Sequence, residues 1–309
     1  GNGKSDYWEN HGRAMYLPQY QLDRLCRLTA EAIEYWNQVP SASIALRLGP
    51  TRKSVYWRRP GKFYVSLGML DGFLGVASST RRRGQTRPNG IIIQYRNFNI
   101  ETDDAIRATI IHEIGHSLGL AHSSCDRNLT RQSPLFGPLN GSNADNLPQG
   151  NYSLGAFMSY ADDDRKTALA EDDVAGISVL YPRSTFATEF GSIRGRLVDR
   201  DGNPIFGGNV FAVRTSYLPR HIDQSNHRAI VARLSGRSGS GEFCLEGLQP
   251  GHYTLVAAPV KDPIYGMAGT PRFPGDGGPA DSTLSPERPA YSAFNTSFAP
   301  SILGSVWVG

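Results

Sequence analysis

The sequence predicts an α+β fold over residues 1–184 and an all-β fold beyond them. Three observations predict it. Three stretches repeat apolar residues at the 3.6-residue helical period, one of them around a His-Glu-x-x-His core. Short apolar runs separate the first two of these stretches and read as strands. After residue 184 the helical period gives way to short strands bounded by Gly and Pro, the pattern of a small β-sandwich. That predicts a first domain over 1–184, a β domain over 185–260, and a Pro/Gly-rich extension over 261–309.

Along the chain, Gln21 to Asn37 reads as an amphipathic helix with Leu22, Leu25, Cys26, Ala32, Ile33 and Trp36 on one face, stopped by Pro40. Ser43 to Leu48 alternates like a strand, 54–57 and 62–66 add strand material, and 72–77 is another short apolar run. Arg81, Arg82, Arg83 and Arg87 read as a solvated basic loop before a strong strand over 90–95. Thr102 or Asp103 caps the next helix, where Ile106, Ile110 and Ile114 form a stripe. The Asn-, Gly-, Ser- and Pro-rich stretch 125–154 reads as a long loop. Ala170 to Tyr181 is a third helix, with Glu171, Asp172 and Asp173 at its positive end, Val174, Ile177 and Tyr181 facing inward, and Pro182 stopping it. Strands then follow over 193–198, 209–214, 242–245 and 253–257, with a turn over 199–204. Ser301 to Val308 reads as a closing strand.

Composition narrows the function classes. A chain of 309 residues with 39% hydrophobic and 19% charged residues has the makings of a packed core and is not a disordered one. A net charge of +4, with one short basic cluster, does not suit a nucleic-acid binder. No apolar run is long enough to span a bilayer. No signal peptide is visible, and the opening Gly1-Asn2-Gly3-Lys4-Ser5 reads as a processed end, so that absence says nothing of export. The three cysteines, Cys26, Cys125 and Cys244, form at most one bridge. Cys26 with Cys125 is one reading; three buried thiols is the other.

The most informative stretch is His112-Glu113-Ile114-Gly115-His116-Ser117-Leu118-Gly119-Leu120-Ala121-His122. His112 and His116 are four apart, so a helix projects both from one face, where they can share one Zn²⁺. Glu113 falls on the neighbouring face, within reach of a metal-bound water. Gly119 allows the chain to turn sharply out of the helix and return His122 as a third ligand. Three protein ligands leave one position open, the arrangement of a catalytic zinc.

This extended motif resembles that of the metzincin clan of zinc endopeptidases. Three further features carry the resemblance, which covers about residues 15–183. Phe157-Met158-Ser159-Tyr160 is similar to the clan's Met-turn, with Met158 beneath the metal. The helix over 169–182 is similar to the closing helix of matrixins, and 71–77 to the edge strand above the cleft. His122-Ser123 looks like matrixins, whereas Met158-Ser159-Tyr160 and the 35 residues between His122 and Met158 look like serralysins. The resemblance implies a twisted mixed sheet with long helices, zinc on His112, His116 and His122, and Glu113 as general base. It implies that Tyr160 hydrogen-bonds the reaction intermediate. Asp126, Asn143, Asp145 and Asp162 to Asp164 stand either as Ca²⁺ ligands or as solvated loop acids.

Residues 190–260 resemble the transthyretin-like module, through Gly195 to Pro204, Gly239 to Phe243 and Leu248 to Leu255. That implies an accessory β-sandwich without chemistry of its own. Together the resemblances imply a secreted or cell-surface zinc endopeptidase acting on a protein or peptide substrate, most simply as a monomer. Two alternatives remain: a zinc-bound protease-like protein used for binding or adhesion, and a zinc hydrolase of a non-peptide amide.

Overall fold

In the computed structural model, the described residues are 18–50, 62–70, 74–82, 85–120, 123, 156–158, 168–205, 208–214, 230–234, 240–259 and 301–309. They form a mixed array of helices and strands that divides into two compact units. The first comprises residues 1–38 and 45–118, the second residues 39–44 and 119–309.

In the first unit, helix α1 (Gln19–Asn37) buries Leu25, Leu28, Ala32, Ile33 and Trp36. It lies along helix α3 (Asp103–Leu118), whose Ile106, Ile110, Ile111 and Ile114 are buried. The Trp36 indole N–H donates to the Ile111 carbonyl at 3.1 Å, so the largest side chain of this core is also fixed in orientation. At the N-terminal end of α3, Arg24 and Arg27 both reach Asp103, while Arg107 and Arg27 share Glu31. The Thr102 hydroxyl accepts from the Ala105 N–H at 3.2 Å, which caps α3 where the sequence places its start.

A three-stranded sheet in the order β1-β3-β2 lies against α3, built from β1 (Val65–Gly68), β2 (Gly75–Arg82) and β3 (Gln85–Gln94). β1 runs parallel to β3 and β2 antiparallel to it. Ile91, Ile92 and Ile93 are all buried, so the centre of β3 is covered on both faces. Helix α2 (Tyr95–Ile100) follows directly and was not legible in the sequence.

Two expectations are corrected here. Ser43 to Leu48 is not a strand. Both backbone groups of Leu46 are taken by one side chain: Asn37 Oδ1 accepts from its N–H at 2.7 Å and Asn37 Nδ2 donates to its carbonyl at 3.0 Å. A residue whose backbone groups are satisfied this way needs no ladder partner. Arg81 and Arg82 are not loop residues but end β2, opposite Thr86 and Gln85. Residues 54–57 lie outside the described residues.

In the second unit, residues 39–44 line up with 181–183 through Ser43 N–H to the Tyr181 carbonyl (2.7 Å) and Arg183 N–H to the Ser41 carbonyl (3.1 Å). Helix α4 (Glu171–Leu180) is followed by a short α5 (Phe186–Glu189). The inward face of α4 differs from expectation. Asp172, Asp173, Ala175, Gly176, Ile177 and Ser178 are buried, whereas Val174 is half-buried and Tyr181 is exposed.

The remaining strands form two sheets. β4 (Gly191–Arg196) pairs antiparallel with β7 (Glu242–Leu248). The other sheet has the order β6-β5-β8-β9, from β6 (Ile230–Leu234), β5 (Gly208–Arg214), β8 (Gly251–Pro259) and β9 (Ser301–Val308). Ile193, Leu197, Val210, Ala212, Val231, Phe243, Leu245 and Tyr253 join in one core, and Ala175 of α4 belongs to it. Asp199 accepts from the N–H groups of Asp201 and Asn203, which closes the turn after β4. Among the described residues, no helix is long and apolar enough to cross a membrane.

Candidate metal centre

The helical part of the motif lies in the last turns of α3. His112 and His116 stand one turn apart, with ring centroids 4.6 Å apart and planes at 88°. Their Nε2 atoms approach to 3.0 Å. Two nitrogens about 2.0–2.1 Å from a tetrahedral zinc lie roughly 3.3 Å apart, so a change of a few tenths of an ångström would admit the ion. His116 sits in the last turn of the helix, where the aligned peptide dipoles favour a cation.

Glu113 is 5% exposed. The first residue of β2, Gly75, passes directly over it: a Cβ there would stand 2.8 Å from Thr109 Cγ2, 2.9 Å from Glu113 Cγ and 3.0 Å from Glu113 Oε1. Glycine at 75 is what permits this approach. The apolar run over 72–77 is legible in the sequence, but the requirement for glycine within it is visible only in three dimensions.

After Leu118 the chain leaves the helix, and Gly119 takes φ +103, a value that side chains disfavour. His122 and Tyr160 lie outside the described residues, as do Cys125, Asp126, Asn143, Asp145 and Asp162 to Asp164. Among the described residues, no three His, Cys, Asp or Glu side chains gather into a metal cluster.

The second unit fixes the segments that flank those positions. Met158 is 2% exposed, in a turn with the buried Phe157. The Asp173 carboxylate accepts the N–H groups of Phe157 at 2.7 Å, Met158 at 3.0 Å and Ala170 at 3.1 Å. The Met158 carbonyl accepts the Ser123 N–H at 2.8 Å, and the Ser123 hydroxyl donates to Asp172. Thus two neighbouring acids at the start of α4 hold the residue after His122 and the turn around Met158. Burial pushes the Asp173 carboxyl up to about 6; the backbone donors work against that rise, and the charge of Asp172 adds to it.

Asp172, Asp173 and Ser123 were not predicted as site residues. The acids were legible as a helix start, but their partners are 49, 16 and 15 residues away in sequence. Compared with known proteins, the chain matches no family model, no curated protein and no solved structure.

Proposed function

We propose that this chain is a zinc-dependent endopeptidase of metzincin type, followed by a transthyretin-like β-sandwich. The observation that carries the reading is the approach of His112 Nε2 to His116 Nε2 at 3.0 Å on a helix that also presents Glu113, inside a His-Glu-x-x-His-x-x-Gly-x-x-His sequence. The donor set fits the metal: neutral imidazole nitrogens are common zinc ligands, and His112, His116 and His122 would hold the ion with one position open. When bound, zinc supplies a Lewis acid that makes water nucleophilic near neutral pH and polarises the scissile carbonyl.

The chain's own residues do the rest. Glu113 accepts the proton of the attacking water and delivers it to the leaving amine. Its burial under β2 limits the arrangements it can adopt, which favours a positioned base over a mobile one. Tyr160, two residues beyond Met158, donates a hydrogen bond to the oxyanion. Met158 supplies an apolar floor and takes no chemical part. The resemblance further supports a secreted or cell-surface protein acting on protein or peptide substrates.

The test is bound metal and cleavage of a quenched peptide library, for wild type beside Glu113→Ala and with a chelator. One zinc per chain, with cleavage lost in the variant and in chelator, is the expected result. Zinc without cleavage in wild type would overturn the endopeptidase reading, and hydrolysis of a non-peptide amide alone would replace it.

A further inference from the structure

Helix α4 has a third acid at its start. Glu171 pairs with Arg214 of β5 at 3.1 Å, with side chains only 26% and 17% exposed. Arg214 is itself held by the C-terminal sheets: the same guanidinium nitrogen lies 2.9 Å from Gln249 Oε1 and 3.4 Å from the Tyr253 hydroxyl. That hydroxyl donates to the Gln249 carbonyl at 2.8 Å, and the Tyr253 ring is fully buried. The cation is therefore mounted on a rigid part of the sheet.

A second contact is steric. Gly247 of β7 has φ +75, and a Cβ there would stand 2.9 Å from Ala175 Cα and 3.2 Å from the Ala175 carbonyl oxygen. The strand thus touches the helix backbone. Ala175 shares one core with Ile193, Leu245, Leu248 and Tyr253. The transthyretin-like resemblance implies a β module that is only an accessory. The packing makes it the seat of α4.

We propose that Arg214 is a positioning residue for the Met158 turn of the second unit: by anchoring Glu171, it fixes the turn of α4 from which Asp172 holds Ser123 and Asp173 holds Phe157 and Met158. The proposal rests on the zinc reading above for its catalytic consequence, but its structural core does not need the metal. All three partners meet one guanidinium nitrogen, so what Arg214 supplies to Glu171 is a fixed charge and a single donor. Loss of a group bonded directly to a metal ligand typically lowers metal affinity about 10- to 100-fold, and Arg214 stands further out, so the lower end is expected.

The experiment compares full-length wild type, Arg214→Met, Glu171→Gln, their double variant and Arg214→Lys. Phe243→Leu, a core change in the same sheets, is the control for general destabilisation. Two quantities are read: amide hydrogen exchange at Phe157 and Met158 in zinc-free protein, and the zinc dissociation constant from competition with a chromogenic chelator. Arg214→Met is expected to speed exchange at both amides and to weaken zinc by about tenfold. The double variant is expected to be no worse than the single, because both changes break one link. Arg214→Lys keeps the charge and is expected to recover most of the affinity.

The turnover number is expected to fall with little change in KM, since the pair touches no substrate. Wild-type exchange and zinc affinity in Arg214→Met would overturn the proposal. So would a Phe243→Leu variant that, at equal loss of melting temperature, weakens zinc as much. If wild type takes up no zinc, the zinc reading fails alone, and amide exchange still decides the role of Arg214.

Discussion

Gly75 and Glu113 occupy space that cannot also hold a side chain at position 75, because a Cβ there would stand 2.9 Å from Glu113 Cγ and 3.0 Å from its Oε1. Strand and helix thereby fix one carboxylate between them. Gly75→Ala is expected to move that carboxylate and lower kcat/KM by roughly tenfold or more, since small misplacements of a reacting group are costly. The added methyl also meets Thr109 Cγ2 at 2.8 Å, so Thr109→Ser in the Gly75→Ala background is expected to restore part of the rate. Peptide kinetics on both variants check this; an unchanged rate in Gly75→Ala would remove the argument that β2 positions Glu113.

Asp173 gives the second unit a pH dependence of definite sign. Its carboxyl is raised from 3.8 to about 6 by burial, despite its backbone donors. The native state therefore holds this proton more tightly than the unfolded chain does. The resulting stabilisation is complete below about pH 3.8 and is lost as pH rises through about 6. Its size is about 3 kcal/mol, since each pH unit between the native and unfolded values is worth about 1.4 kcal/mol. Asp173→Asn is expected to remove this component, so the wild-type minus variant difference in unfolding free energy falls between pH 4 and pH 7. Denaturant titrations at both pH values measure it, and a difference that stays flat would contradict the assignment.

These two cases show why some of the molecule could be read from sequence and some could not. The stripe of Ile106, Ile110 and Ile114, and the facing of His112 and His116, follow from local helix geometry, and both appear on α3. The alternation of Ser43 to Leu48 is equally local, but strand formation also needs a partner, and the backbone groups of Leu46 are taken by Asn37. The acids of α4 looked like dipole companions because Ser123, Phe157 and Met158 are remote in sequence. β6 was missed as well: Ile230 to Leu234 is only 5 residues long and gains its identity from pairing with β5.

Asp103 tests the electrostatics at the opposite end of α3. Arg27, then Arg24, holds its carboxyl below the usual value, and Arg24 also lies over the Phe98 ring at 4.7 Å. A lowered native value means that the stabilisation is present above the unfolded value of 3.8 and is lost as pH falls through the native one. Because the Asp103 side chain is 41% exposed, solvent screening limits its worth. Asp103→Asn is expected to cost about 0.5–1 kcal/mol at low salt, fading in about 1 M NaCl. Thermal melts at two ionic strengths check it, and an equal loss at both would show that Asp103 does not act through its ion pairs.

Metal should act on the whole molecule through linkage. The Nε2 atoms of His112 and His116 already face each other at 3.0 Å, so the folded chain presents a pair of donors that the unfolded chain scatters. An ion that binds the native state alone stabilises it by about 4 kcal/mol at a thousand times its dissociation constant. Zinc is therefore expected to raise the melting temperature of wild type, and a chelator to reverse the rise. His116→Ala is expected to abolish the zinc-dependent increment while leaving the zinc-free melt close to wild type, since the imidazole is only half-buried. Glu113→Ala is expected to keep the increment, because its carboxylate is proposed to hold a proton and not the metal. Scanning calorimetry on these proteins separates the two roles: loss of the zinc increment in Glu113→Ala would make the carboxylate a ligand, and its persistence in His116→Ala would place the metal elsewhere.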